Sequence, residues 1–213
     1  MTRRLVERLS PFAVEQGIAL DAAALERLAA FIDLLVAWNR KARLTGDRDP
    51  ETLVAKHCAD SMVAGAGLSR DTRSMDVGSG AGFPGLVAAC IRPDLRISLV
   101  DSRQKACSFL EAASATIGLP NVRVLNARIE DLPGRPAEAG SYGIVLSRGL
   151  RLAPYLPAIR TLLGQRGEIL MMLSTGQEVP ESELEPLGFR QTAVHAYTLP
   201  SGERRRIVRY GAS

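Results

Sequence analysis

From Ser74 onward the chain alternates short apolar runs with stretches of helical spacing, and the first run ends in Asp76-Val77-Gly78-Ser79-Gly80-Ala81-Gly82-Phe83-Pro84-Gly85. No other feature constrains the fold as tightly, because strands that alternate with helices pair in parallel and bury both faces of their sheet. The pattern predicts strands at Ser74–Val77, Arg96–Val100, Val122–Asn126, Tyr142–Leu146 and Glu168–Leu173, with helices at Pro84–Cys90, Gln104–Ile117 and Ala153–Leu163. The end of the chain changes character. Phe189–Leu199, the turn Ser201-Gly202-Glu203 and Arg204–Tyr210 read as an antiparallel hairpin.

Before Ser74 the pattern is helical. Leu25, Leu28, Ala29, Ile32, Leu35 and Val36 recur at helical spacing ahead of Trp38-Asn39, and Asp21 suits the N-cap of that run. A further helix is predicted from Thr52 to Leu68, after Asp49-Pro50. With no repeat or linker to divide it, the chain reads as a single domain over 1–213, a helical N-terminal extension (1–70) on an α/β core (71–213). Of its 213 residues 46% are apolar, enough to fill one sizeable core.

Cys58, Cys90 and Cys107 are odd in number and form no CxxC pair, which argues against a disulfide framework or a zinc site. No apolar run reaches the roughly 18 residues that span a bilayer, and Met1 to Arg8 lacks the apolar core of a secretion signal, so a cytoplasmic protein without a membrane partner is expected. The net charge of +4 permits an anionic partner. Arginine supplies nearly all the cation, the lysines being Lys41, Lys56 and Lys105. Guanidinium forks suit phosphate and guanine edges, although genome composition explains such usage equally well.

Gly78, Gly80 and Gly82 allow the backbone to turn with φ above zero and bring N–H groups close to a ligand. Gly80 to Gly85 also satisfies GxGxxG, so a dinucleotide and an adenosyl ligand both remain possible on the loop alone. Five parallel strands closed by a hairpin fit the class I methyltransferase sheet better than an NAD domain. Asp101, 19 residues after Gly82, ends the second strand where a carboxylate accepts from ribose hydroxyls. Asp76 is placed to help hold the methionine end of S-adenosylmethionine. Ile129 and Glu130 follow the third strand at the ligand edge, flanking an adenine or forming a solvated charged turn. Arg148 opens onto the same edge, either to pair with the ligand's carboxylate or as a surface arginine. Lys56, His57, Asp60 and Ser61 read as a substrate-facing cluster or a solvated helix face. Trp38 reads as a core anchor, His195 as a strand residue, and Arg204 to Arg206 as a phosphate track or edge-strand guard.

Taken together these motifs resemble the RsmG/GidB family, bacterial 16S ribosomal RNA guanine-N7 methyltransferases. The resemblance spans nearly the whole chain. It rests on Trp38-Asn39 with Leu44-Thr45, Arg48-Asp49-Pro50, Lys56-His57 with Asp60-Ser61, the loop from Asp76 to Gly85, Val100-Asp101-Ser102 with Lys105, Arg128-Ile129-Glu130, Ser147-Arg148 and Gly202-Glu203-Arg204. It implies S-adenosylmethionine as cofactor, with Gly78 and Phe83 touching it in the loop, Ile129 and Glu130 on its adenine side and Arg148 lining the pocket. It also implies 16S rRNA or the small ribosomal subunit as partner, contacted by Lys56 and His57, and a monomer without metal. Most relatives in that family show a lysine after the fifth strand, in a Lys-Gly pair, where this chain has Ser174-Thr175-Gly176, and they often have asparagine where it has Arg43.

N7 of guanine has an in-plane lone pair and no proton, so no catalytic base is expected; an Asn-Pro-Pro-Tyr-like motif and a Pro-Cys pair are both lacking. The three cysteines then read as packing residues. Two other readings stay open from the residues: a cofactor-binding sensor or assembly factor without transferase activity, and an NAD-dependent oxidoreductase.

Overall fold

The computed structural model describes residues 1–149, 151–179 and 181–212. Its first helices are α1 (Thr2–Glu7), α2 (Ser10–Glu15) and α3 (Ala22–Ala42). The Asp21 carboxylate accepts from the Ala24 N–H at 2.6 Å, which makes it the N-cap predicted for α3. One face of α3 buries Leu28, Phe31, Ile32 and Leu35 completely. Phe31 meets Phe83 edge-on at 5.3 Å, and Trp38, half-buried, meets Phe109 at 5.7 Å. Asn39 at the end of α3 has a separate task. Its amide exchanges two 3.0 Å hydrogen bonds with the backbone of Thr45, pinning the loop that carries Asp47.

The helix predicted over 52–68 is built differently. A short turn α4 (Pro50–Thr52), capped by Asp49, runs into a π-helical segment Leu53–Cys58 and then α5 (Ala59–Ala66). The wide turn re-aims the side chains that follow, as π segments do where a helix wall serves a site. Asp60 and Ser61 are therefore buried and not part of a solvated face.

Seven strands form one sheet in the order β3-β2-β1-β4-β5-β7-β6. They are β1 (Arg73–Val77), β2 (Arg96–Asp101), β3 (Val122–Asn126), β4 (Tyr142–Arg148), β5 (Leu163–Ser174), β6 (Phe189–Thr198) and β7 (Arg204–Ala212). The first five are parallel and the last two antiparallel. Strand alternation divides the core into two layers. Ile97, Leu99, Ile144 and Leu146 face α3, α5, α6 (Gly85–Ile91) and α7 (Gln104–Ile117), while Met75, Val77, Val100 and Val145 face α8 (Leu156–Leu162) and α9 (Glu181–Leu184). No helix among the described residues is long and apolar enough to cross a membrane.

β5 starts at Leu163, five residues earlier than predicted, and the helix expected over 153–163 opens with a 3-10 turn. The hairpin also differs in one respect. β7 lies between β5 and β6, so Arg204 to Arg206 do not guard an edge; β6 is the edge strand. Strand order reverses between β1 and β4, and open α/β sheets bind ligands at the carboxyl ends of strands at such a switch.

Candidate active site

The glycine loop leaves β1 at that switch. Gly78 and Ser79 donate to the Val100 carbonyl at 2.8 and 3.0 Å, and Gly78, Gly80 and Gly82 all take positive φ, as the sequence predicted. Asp101 then fastens the loop from β2. One carboxylate oxygen accepts from the Gly80 N–H at 2.9 Å, and the other accepts from the N–H and Nε of Arg103 at 2.9 and 3.2 Å. Beside it opens a cavity of about 340 Å³ whose lining includes Gly78, Asp101, Ile129, Glu130, Arg128 and Tyr155. Ile129 is buried and Glu130 exposed, on the 3-10 turn Ile129–Asp131. A bare loop, a strand-end carboxylate and an apolar side chain next to an acid are the groups that fit a nucleoside.

The sequence placed eight residues around one ligand, and the structure divides them. Gly78, Asp101, Ile129 and Glu130 line the cavity, and Gly80 reaches it through Asp101. Asp76 lies beneath the loop, fully buried. It points into the opposite layer from Met75 and Val77 and accepts from the Gly85 N–H at 3.0 Å, while its other oxygen has no partner. Burial, aided by the charge of Asp101, pushes its pKa up to about 7.

This has a stability consequence. Between the ordinary carboxyl value near 3.8 and about 7 the folded chain holds a proton that the unfolded chain has released, so the Asp76 contribution to stability falls as pH rises through that window. Each unit of separation is worth about 1.4 kcal/mol. In urea unfolding at pH 5 and pH 8, Asp76→Asn is expected to gain stability relative to the parent at the higher pH by a few kcal/mol; parallel pH slopes for the two proteins would refute the assignment.

Phe83 and Arg148 lie on the other side of the loop, with His57. The His57 ring stacks on Phe83 with centroids 5.1 Å apart, and its Nε2 is 2.6 Å from the Asp47 carboxylate. Burial and the nearby Arg148 charge hold His57 below its usual range despite Asp47. The Arg148 guanidinium sits 5.9 Å from the Phe83 centroid and donates from Nε to Asp60 at 2.7 Å. Asp60 also accepts from the Tyr197 hydroxyl at 2.6 Å and lies 3.8 Å from Arg205. Lys56 pairs with Glu203 at 3.2 Å. One buried carboxylate thus ties α5, β4 and the hairpin together behind the loop.

Several of these residues were not singled out from the sequence as part of a site: Asp47, Tyr155, Tyr197, Arg103 and Asp60 in its role as an ion-pair partner. Tyr197 is 137 positions from Asp60, a separation at which local pattern carries no signal. The cysteines are free and buried, as expected of packing residues, and His195 stacks on Tyr197 in the exposed edge strand.

A family model described as rRNA small subunit methyltransferase G matches residues 24–206. The chain is 39% identical over 203 residues to the ribosomal RNA small subunit methyltransferase G of Halorhodospira halophila, covering 94% of this chain and 91% of that protein. To the protein of the same name from Pseudomonas aeruginosa it is 34% identical, covering 98% and 96%. Among solved structures it is similar in fold to a SAM-dependent methyltransferase from Aquifex aeolicus, with a TM-score of 0.56 at 15% identity over 76% of this chain and 93% of that one. It is also similar to the 16S rRNA (adenine(1408)-N(1))-methyltransferase of Catenulisporales acidiphilia, with a TM-score of 0.55 at 18% identity, covering 73% and 91%.

Proposed function

The chain belongs to the rRNA small subunit methyltransferase G family, and from that premise we propose that it transfers the methyl group of S-adenosylmethionine to N7 of a guanine in 16S rRNA. The observation that carries the reading is the cavity at the strand-order reversal, with Asp101 on its rim and Ile129 and Glu130 on its wall. Gly80 supports the fit: a Cβ there would come within 3.3 Å of Arg103, so the loop runs bare past the carboxylate.

When bound, S-adenosylmethionine supplies an electrophilic sulfonium methyl. Asp101 accepts from the ribose hydroxyls, Ile129 and Glu130 hold the adenine side, and Gly78 lets the backbone approach the amino-acid tail. Asp76 serves from below, fixing the turn at Gly85 on which the loop rests. Phe83 and Arg148 border the same loop from the other side, with Arg148 held through Nε by Asp60. The guanine N7 carries no proton, so these side chains need only hold donor and acceptor in line, an effect worth up to about 7 to 11 kcal/mol of barrier. Lys56 and His57 stand at the RNA side of the site.

In this reading the chain is one domain, residues 1–70 extending a core of 71–213, and an apolar cluster that passes from Val6 through Phe31 to Leu99 supports it. The enzyme works as a cytoplasmic monomer without metal. Calorimetry with S-adenosylhomocysteine and with NADH tests the cofactor assignment. Micromolar binding of the first alone is expected; binding of NADH alone would make the chain an oxidoreductase.

A further inference from the structure

The amino end of the sheet, opposite the cavity, carries more arginine than its acids can balance. β1 and β2 open on Arg73 and Arg96, which stand directly in register. Like charges opposite one another on neighbouring strands repel, and an anion nearby relieves the repulsion. The buried anion at this end of the sheet is Glu138, whose side chain is 1% exposed, and both its oxygens are taken. One accepts from Arg73 at 3.3 Å and from the Tyr142 hydroxyl; the other pairs with Arg123 at 2.8 Å. Arg96 and Arg166 are exposed and, among the described residues, have no carboxylate within 4.0 Å.

Arg73, Arg96 and Arg166 line one cavity of about 370 Å³ together with Thr72 and the exposed Asp71, whose carboxylate faces Arg70 at 4.0 Å. Gly140, Gly143, Gly164 and Gly167 also line it. The two unpaired guanidinium forks, Arg96 and Arg166, beside glycine backbone make a site for a phosphate oxyanion, because the planar fork meets two phosphate oxygens at once. Tyr142 is buried, so the cavity presents no ring on which a base could stack. The charged partner of a chain in this family is rRNA, and a site of this chemistry reads its backbone and not its sequence.

We propose that this arginine cavity at the amino end of the sheet docks the phosphodiester backbone of the small-subunit RNA, roughly one strand length from the site that methylates it. The proposal rests on the rRNA reading above. It divides the work: the carboxyl end selects the guanine, and the amino end grips neighbouring backbone. At about 3.3 Å per residue, Arg73 lies some 13 Å from the end of β1, a distance one RNA segment can bridge.

Equilibrium binding of the full chain to a small-subunit rRNA transcript, measured across a salt series, tests it against the double variant Arg96→Ala, Arg166→Ala. Two lost phosphate contacts should reduce the slope of log K on log salt by about 1.4 to 1.8 and weaken binding at least about tenfold near 0.1 M salt. Affinity for S-adenosylhomocysteine should stay unchanged, and Arg96→Lys, Arg166→Lys should restore most of the slope. RNA affinity and slope within twofold of the parent in the alanine variant would overturn the docking face alone. A parent protein that binds no small-subunit RNA would overturn the rRNA reading and this face with it.

Discussion

Asp101→Ala is expected to weaken S-adenosylhomocysteine binding by roughly a hundredfold, the largest loss of affinity from any single side chain in the cavity. Hydrogen bonds to a charged group contribute about 1.5 to 3 kcal/mol each, and two ribose hydroxyls on one carboxylate give at least about 3 kcal/mol. Every 1.4 kcal/mol is about tenfold. The same carboxylate accepts from the Gly80 N–H at 2.9 Å, so its removal also frees the loop. Asp101→Asn keeps the size of the side chain and one acceptor, and should lose less. Calorimetry reads both, and an alanine variant that binds within threefold of the parent would remove Asp101 from the site.

Gly85→Ala is expected to give the largest loss of stability. A Cβ there would fall 2.3 Å from Leu99 Cδ2, 2.7 Å from the Asp76 carboxylate and 2.9 Å from Asp76 Cβ, and side-chain rotation cannot relieve the last because the backbone fixes that atom. Overpacking costs about 1 to 3 kcal/mol and loss of the Gly85 N–H bond to buried Asp76 about 1 to 3 more. For a chain of this length about 4 kcal/mol lowers Tm by roughly 8 to 16 °C. Gly118 supplies the contrast. Its φ is +75 but nothing lies within 4 Å of the added carbon, so Gly118→Ala should cost only the backbone strain of about 1 to 2 kcal/mol. Thermal unfolding of the two variants measures the difference; equal shifts would mean that the loop is not wedged against Asp76.

Much of this fold is legible in the sequence, for a physical reason. Buried parallel strands read as apolar runs, so β1 to β4 fall within one or two residues of prediction. β5 does not, because its opening stretch, Gly164-Gln165-Arg166-Gly167, is polar and glycine-rich and falls in the irregularity between the Leu163 and Glu168 pairings with β4. The Asp21 cap was visible because a cap is local. The π segment at Leu53–Cys58 was not, since its composition is that of an ordinary helix, and with it went the burial of Asp60. Part of the candidate site was also readable: Gly78, Asp101, Ile129 and Glu130 lie at or just after strand ends and line one cavity. Arg148 was legible as a residue at the ligand edge but its partner was not. Asp60 lies 88 positions away, on a helix that the strand pattern says nothing about. Asp76 shows a subtler limit. Its place before the glycines suggested ligand contact, yet strand alternation turns it away from the cavity and under the loop.

Transfer of label is the most direct test. The purified chain, methyl-labelled S-adenosylmethionine and small-subunit rRNA, free or in the subunit, are incubated together, and the RNA is cleaved chemically at N7-methylguanosine. The account predicts label at one guanine, with cleavage at that same position and none in the Asp101→Ala reaction. Cofactor binding without label in either RNA, or label on another base or atom, would contradict it.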